Sequence, residues 1–156
     1  MRLRLVAFIA ASLGLLAASL FAYYTCDQTK RFEVQGDATA PTLEDGQRVT
    51  MLSGKTPQRF DIVVFKAKGP DGDRTISIIE RVVGLPGENI EVRDGAVWVN
   101  GDRLQEPHAS QANYADGPVT LGAEEYYVLG DNRAESYDSH SFGPVHEDDI
   151  RGVVRD

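Results

Sequence analysis

The sequence predicts a mainly β protein, a compact antiparallel β-sheet domain behind one N-terminal transmembrane helix. Two observations favour the β domain: short β-prone runs alternate with glycine-containing turns, and no long amphipathic helical pattern follows the N-terminal region. A third observation, a long apolar stretch near the N-terminus, favours the helix. We therefore divide the chain into a membrane anchor at residues 1–26 and an extracytoplasmic β domain at residues 27–156.

The apolar stretch runs from Leu5 to Tyr24. Its length of about 20 residues is what a helix needs to cross a bilayer. Arg2 and Arg4 precede it, which favours a cytoplasmic N-terminus. A cleaved signal has a shorter apolar core, ~7–15 residues, and a small-residue cleavage site, and no such site follows here. We expect an uncleaved, single-pass anchor in the plasma membrane, with the main domain outside.

The β-prone runs after the anchor are short and are separated by turns. Asp94-Gly95 and Asn100-Gly101 are typical of two-residue hairpin turns. Residues 105–118 are predicted to form a loop. Strands are predicted at residues 32–34, 48–52, 60–65, 75–83, 90–93, 96–99, 120–129 and 150–154.

Composition limits the classes of function. A chain of 156 residues can bury one domain core, and a net charge of −8 argues against nucleic acid as a partner. Cys26 is the only cysteine, so neither an internal disulfide nor a cysteine-based metal site can form. The histidines are at positions 108, 140 and 146; His140 and His146 lack metal-ligand spacing with a cysteine partner, and we expect all three to be loop or structural residues. We therefore expect no metal and no cofactor.

A polar segment follows the apolar run at residues 126–129 and carries most of the candidate structural residues. A turn opens it, and its hydroxyl and carboxylate side chains can bond local backbone groups and hold one loop shape. Arg133 can fork onto a carboxylate such as Asp138. We expect this loop to pack rigidly against the strand around residues 79–83. Its residues are Gly130, Asp131, Asn132, Arg133, Ser136, Asp138, Ser139 and Gly143.

That segment resembles the last sequence box of the type I signal peptidases, the S26-like serine peptidases with a Ser–Lys dyad. Three further boxes resemble the same family in the expected order: Pro41-Thr42-Leu43, residues 61–65, and residues 81–88. The resemblance implies a signal-peptidase-like β fold with a peptide-binding groove near the membrane surface. It also implies cleavage of signal peptides after small residues. The groove residues it implies here are Asp37, Thr39, Pro41 and Ile79.

The chain departs from the family pattern where the chemistry resides. Ala38 stands at the position of the nucleophilic serine, Gly36 at that of the serine that helps to hold the oxyanion, and Glu80 at that of the general-base lysine. A serine-type mechanism needs a hydroxyl activated by an adjacent base. Burial lowers the pKa of a lysine and so favours the neutral amine that acts as the base. In a glutamate, burial has the opposite effect and raises the pKa towards the protonated form. We therefore expect a diverged, non-catalytic member.

Two alternative catalytic arrangements stay open. Thr39 could replace the missing hydroxyl with Glu80 as base, although a strand would turn Thr39 away from the groove unless a bulge or register slip restores it. Asp37 and Glu80 could instead share one proton, as paired carboxylates do in acid proteases.

Three functions follow. The first is non-catalytic binding of extended peptides, signal peptides or secreted pre-protein segments in the groove. The second is an active signal peptidase, a serine-type endopeptidase with a displaced nucleophile. The third is a membrane-bound partner subunit of a catalytic peptidase or an envelope assembly.

Overall fold

The computed structural model describes residues 14–16, 29–110 and 113–155. In this part of the chain nearly all regular structure is β. One helical turn, α1, spans Ser139–Phe142, and a 3-10 turn spans Glu147–Asp149. The strands are β1 Thr29–Glu33, β2 Arg48–Leu52, β3 Ile62–Lys68, β4 Thr75–Gly84, β5 Asn89–Arg93, β6 Ala96–Val99, β7 Asp102–Arg103, β8 Asp116–Thr120, β9 Glu125–Leu129, β10 Val145–His146 and β11 Ile150–Arg155.

The strands form two antiparallel sheets. The larger has seven strands in the order β1-β2-β11-β3-β4-β9-β10, and the smaller has four in the order β7-β6-β5-β8. The prediction of a mainly β, antiparallel fold is confirmed.

Strand β3 lies in the middle of the larger sheet and is covered on both faces. Val64 packs with Val34 and Ile79 in one core cluster, whereas Val63 and Phe65 pack in a second cluster on the other face. All three β3 side chains are fully buried. This explains why the run is continuously apolar rather than alternating.

Both predicted hairpin turns are present. Asp94 and Gly95 have φ of 51° and 71°, and Asn100 and Gly101 have φ of 53° and 90°. Positive φ at both central residues is the two-residue hairpin geometry that Asp-Gly and Asn-Gly favour. These turns set the β5–β6 and β6–β7 pairings.

The expected strand at residues 120–129 is wrong in extent, as is the end of the loop expected at residues 105–118. The structure has two strands there, β8 and β9, separated by a turn in which the N–H of Gly122 donates to the Glu125 carboxylate. Strand β8 begins at Asp116 because it pairs with β5. Tertiary pairing therefore overrides the turn-like Asp-Gly-Pro sequence at that point.

The anchor prediction concerns residues that lie outside the described part, except that residues 14–16 are helical. Within the described residues, no helix is both long and apolar enough to cross a membrane. The division at residue 26 stays a prediction.

Candidate functional site

The first half of strand β4 has an unpaired edge. β4 pairs with β3 from Thr75 to Arg81, but with β9 only from Arg81 onwards. The N–H of Val82 donates to the carbonyl of Asp61, on the β3 side. Because hydrogen bonding alternates along an antiparallel strand, the backbone groups of Ser77 and Ile79 point to the opposite, open side. An added peptide strand needs such an edge.

A cavity of about 340 Å³ lies between this edge and residues 35–39. It collects most of the groove residues predicted from the sequence. The predicted residues that line it are Gly36, Asp37, Ala38, Thr39, Ile79 and Glu80. Among the described residues Pro41 is the one groove candidate that lies off the cavity wall.

Residues 37–43 form a turn rather than the strand assumed from the sequence. The N–H of Ala40 donates to the carbonyl of Asp37 at 3.1 Å, and the N–H of Leu43 donates to that of Thr39 at 3.0 Å. Strand alternation therefore does not apply here. The expectation that a strand would turn Thr39 away from the groove has no basis in this turn, and Thr39, which is fully buried, lines the same cavity as Ala38.

The loop after β9 fixes the backbone of this turn. The N–H of Asn132 donates to the carbonyl of Ala38 at 2.9 Å, and its side-chain amide donates to the carbonyl of Asp37 at 3.2 Å. A Cβ on Gly130 would lie 2.7 Å from the carbonyl oxygen of Ala38 and 2.4 Å from the Cβ of Ser136. Glycine is therefore required where the two segments meet.

A buried ion pair joins β4 to the same loop. The Arg81 guanidinium donates to both oxygens of Asp131, at 2.7 and 2.6 Å, and also to the carbonyl of Phe60. The Thr42 hydroxyl donates to Asp131 as well. This connection between residues far apart in sequence was not foreseen. In the sequence, the feature that points to Arg81 as a site residue is its place next to Glu80, the candidate base position.

Asp138 organises the remainder of the loop, as expected. Its fully buried carboxylate accepts from the N–H groups of Gly130 and His140, each at 3.1 Å, and from the Ser136 hydroxyl. It thereby caps α1. The Ser139 hydroxyl accepts from the N–H of Val128 at 2.9 Å, and Gly143, with φ of 87°, ends the helical turn.

The suggested fork of Arg133 onto Asp138 is wrong. Arg133 forms a buried ion pair with Glu106 and donates to the carbonyl of Gly130 at 2.9 Å. Glu106 lies in a loop distant in sequence, so local spacing could not reveal it. Asp138 instead accepts from two backbone N–H groups and from the Ser136 hydroxyl.

Glu80 is fully buried, and neither carboxyl oxygen has a hydrogen-bond partner among the described residues. Burial raises the pKa of Glu80 well above its usual value, and the charges of Asp138 and Asp131 raise it further, whereas Arg133 opposes them. Glu80 therefore keeps its proton at pH values where a free glutamate has lost it. A protonated carboxyl cannot act as a general base.

The other groups near the cavity offer little chemistry. The Thr39 hydroxyl is buried without a hydrogen-bond partner in the described part of the chain. Gly36 has φ of 85°, and its N–H donates to the Asp45 carboxylate at 2.8 Å, so that donor is already used. Asp37 is exposed, and the carboxylates that act on Glu80 are Asp138 and Asp131. The Asp37–Glu80 pair gains no support.

Ser141, His140 and Asp138 only superficially resemble a catalytic triad. The Nδ1 atom of His140 is 3.3 Å from the Asp138 carboxylate and 3.4 Å from the Ser141 hydroxyl. A triad histidine uses its two ring nitrogens for the two partners, and here one nitrogen serves both. We therefore interpret His140 as structural. Within the described residues no group of three or more His, Cys, Asp or Glu side chains could hold a metal ion.

Comparisons with known proteins identify the family to which this fold belongs. The family model "Signal peptidase, peptidase S26" matches residues 3–155. The chain is 37% identical over 144 residues to Signal peptidase I V of Bacillus subtilis (strain 168), covering 80% of this chain and 83% of that protein. It is 38% identical over 135 residues to Signal peptidase I of Leptolyngbya laminosa, covering 78% and 66% respectively.

A solved structure is also similar. The crystal structure of a signal peptidase I from Enterococcus faecalis V583 matches with a TM-score of 0.51 and 33% sequence identity, covering 65% of this chain and 98% of that one. The fold, the order of the motifs and the family match lead to one conclusion: the chain belongs to the signal peptidase family, peptidase S26.

Proposed function

We propose that this protein is a membrane-anchored, signal peptidase I-like protein that binds extended segments of exported proteins without cleaving them. One observation carries the proposal. The cavity beside the open edge of β4 is present, but Ala38 offers no nucleophile there and Glu80 is a buried carboxyl with a raised pKa.

The groove supplies what binding of an extended peptide needs. The outward backbone groups of Ser77 and Ile79 can pair with an added strand. Phe32 and Ile78 give the adjoining cavity apolar walls. Main-chain hydrogen bonds would provide affinity, and the cavity would select a side chain.

The catalytic requirements are not met at the matching positions. Ala38 cannot form an acyl-enzyme, which ends the Ser–Lys mechanism. Loss of a single oxyanion donor costs about 10²–10³ in rate in an otherwise intact site. Gly36 lacks a side-chain donor, and its N–H is bound to Asp45.

A second candidate function is peptidase activity with a displaced nucleophile. The observation in its favour is that Thr39 and Glu80 line one cavity, and that both carry buried polar atoms without a partner in the described structure. No hydrogen bond joins the two side chains. The raised pKa of Glu80 opposes its use as a base, so we rank this function second.

The localisation follows from the apolar run at residues 5–24. We place the anchor in the plasma membrane, with a cytoplasmic N-terminus and residues after about 27 outside. Attachment to a catalytic peptidase or an envelope assembly would bring the groove to its segments. Cysteine labelling from the outer side should reach a residue placed in the β domain and not one placed before residue 5. A mature protein that begins near Thr25 or Cys26, free in solution, would contradict this placement.

The decisive experiment uses purified full-length protein free of other peptidases. A fluorescent signal-peptide segment is expected to bind saturably and to stay intact. Ser77→Pro should weaken binding, because it removes an N–H that faces the groove and leaves the pairing with β3 in place. Ser77→Ala is the matched control and should bind like the wild type.

Two outcomes would count against the proposal. Cleavage after a small residue that Thr39→Val abolishes would establish the second candidate instead. Absence of binding by any extended segment, with the fold intact by circular dichroism, would exclude a peptide-binding groove.

A further inference from the structure

The charged residues that line the cavity are all acidic. They are Asp37, Glu80 and Glu135, and no lysine or arginine of the described chain lies on its wall. Asp37 and Glu135 are exposed and interact with solvent. Glu80 differs, because its carboxyl is fully buried and both oxygens lack partners among the residues that the structure describes.

The surroundings of Glu80 add negative charge. Asp138 and Asp131 act on it more strongly than Arg133, the one cation that opposes them. The guanidinium of Arg81 is engaged by Asp131, and that of Arg133 by Glu106. Within the described structure the neighbouring cations are thus already paired, and the site lacks a positive charge of its own.

The cavity also has an apolar wall. Phe32, Ile76 and Ile78 line it beside the acidic residues. Long basic side chains bury their methylene stems along such surfaces while their charged ends find a partner. A cavity of about 340 Å³ is within the range of ligand pockets, ~300–1,000 Å³.

We infer that this cavity is a specificity pocket for a basic side chain of the bound peptide, with arginine preferred over lysine. The inference rests on the proposed peptide-binding function and names the class of peptide. Among the described residues neither Glu80 oxygen has a hydrogen-bond partner, and a guanidinium can donate two parallel hydrogen bonds to them. The buried Thr39 hydroxyl, which also lacks a partner in the part of the chain that the structure describes, offers a third acceptor. Guanidinium is also more weakly hydrated than ammonium and is easier to bury.

The ion pair between Glu80 and the basic side chain would form in a site that excludes water. Glu80 has no exposed surface when the cavity is empty, so the entering side chain must displace part of the wall. A charge-assisted pair is strong in such a site, and an unpaired charge there is costly. The pocket should therefore discriminate sharply between a cation and a neutral side chain of the same shape.

Binding should release a proton from Glu80. Because the pKa of Glu80 is raised by burial and by Asp138 and Asp131, with Arg133 opposing, the empty pocket holds a proton over a pH range in which the carboxyl would be ionised beside a guanidinium. Affinity for a basic peptide should then rise with pH until Glu80 of the empty protein is itself ionised. A single released proton gives at most about a tenfold change in affinity per pH unit.

The test compares alanine–valine peptides that are identical except for one central residue: arginine, lysine, citrulline or norleucine. Citrulline has the shape of arginine without its charge. The arginine peptide should bind full-length protein at least about tenfold more tightly than the citrulline peptide, with lysine between them. In Glu80→Gln this preference should disappear. Glu44→Gln, which removes an exposed charge away from the cavity, should keep it. Calorimetry in buffers of different ionisation enthalpy should detect the released proton.

The failures are distinguishable. If all four peptides bind equally, or norleucine binds best, the basic-side-chain pocket is wrong while the peptide-binding function stands. If none of these peptides binds but the signal-peptide segment does, only the pocket is wrong, and if that segment also fails to bind, both are wrong. Free n-butylamine that binds as tightly as the lysine peptide would assign the pocket to small amines instead. These wild-type comparisons decide the matter even if Glu80→Gln does not fold.

Discussion

Replacing Glu80 with glutamine should make the protein more stable and should change how its stability depends on pH. Glu80 is fully buried without a hydrogen-bond partner in the described structure, and its pKa is raised by burial, Asp138 and Asp131. Glutamine has nearly the same shape but no ionisable proton. The variant therefore isolates the effect of ionisation from that of packing.

The sign and the slope follow from linkage. The pKa of Glu80 is higher in the folded than in the unfolded protein. At pH values between the two pKa values, the folded state holds a proton that the unfolded state has lost. The free energy of unfolding then falls as pH rises, by about 1.4 kcal/mol per pH unit. Below the unfolded pKa the contribution is fully present, and above the folded pKa no further stability is lost.

Urea denaturation of wild type and Glu80→Gln from pH 5 upwards measures this difference directly. The gap in unfolding free energy should widen in favour of the variant by about 1.4 kcal/mol per pH unit, and level off above the folded pKa. Glu44→Gln, at an exposed position, should follow the wild-type curve. Parallel pH profiles for wild type and Glu80→Gln would refute the assignment of Glu80 as a buried, protonated carboxyl.

Three further predictions concern the loop after β9 and the missing dyad. Asp138→Ala should lower the unfolding free energy by about 2–4 kcal/mol, because it removes a helix cap and leaves buried donors unpaired; an unchanged melting temperature would show that the loop tolerates the loss. Gly130→Ala should cost about 1–3 kcal/mol in denaturant titrations, since its Cβ would overlap the carbonyl of Ala38, and a neutral result would contradict the fixed approach of the two segments. In a signal-peptide cleavage assay the double change Ala38→Ser with Glu80→Lys should give slow activity and each single change none, as expected of residues that act as a unit; activity in one single variant would disprove that coupling.

The sequence predicted the parts of the fold that depend on local chemistry. The two hairpin turns required positive φ at Asp94-Gly95 and Asn100-Gly101, and such dipeptides encode it directly. Strand β2 was predicted with its observed bounds, and β4 within one residue. Strand β8 was missed because its pairing with β5 is a tertiary effect that Asp-Gly-Pro does not announce.

The candidate site was predicted less completely, for a similar reason. Ala38 and Glu80 were identified by their position in motifs, and the structure places both on one cavity. Strand periodicity could not predict the placement of Thr39, because residues 37–43 form a turn. The pairing of Arg81 with Asp131, and of Arg133 with Glu106, joins residues 50 and 27 positions apart, which no local pattern can specify.

The groups that shape this site are separate from those that would perform chemistry in it. Asn132 and Gly130 fix the backbone of Ala38 through contacts that do not depend on the side chain at position 38. The family fold can therefore form with an alanine at that position. For this reason membership of the family establishes the architecture, and the activity must be argued from the site itself.

The presence of Glu80 needs its own explanation, because its buried carboxyl group is polar and does more than occupy space. A buried carboxyl without a partner destabilises the folded state, whereas an apolar residue of similar volume would stabilise it. Such a cost is offset if a bound ligand pairs with the carboxyl, because a ligand that binds only the folded state adds its binding free energy to stability. The basic-peptide pocket supplies that pairing. Addition of the arginine peptide should therefore raise the Tm of the wild type more than that of Glu80→Gln, and equal shifts in the two proteins would mean that the peptide does not reach Glu80.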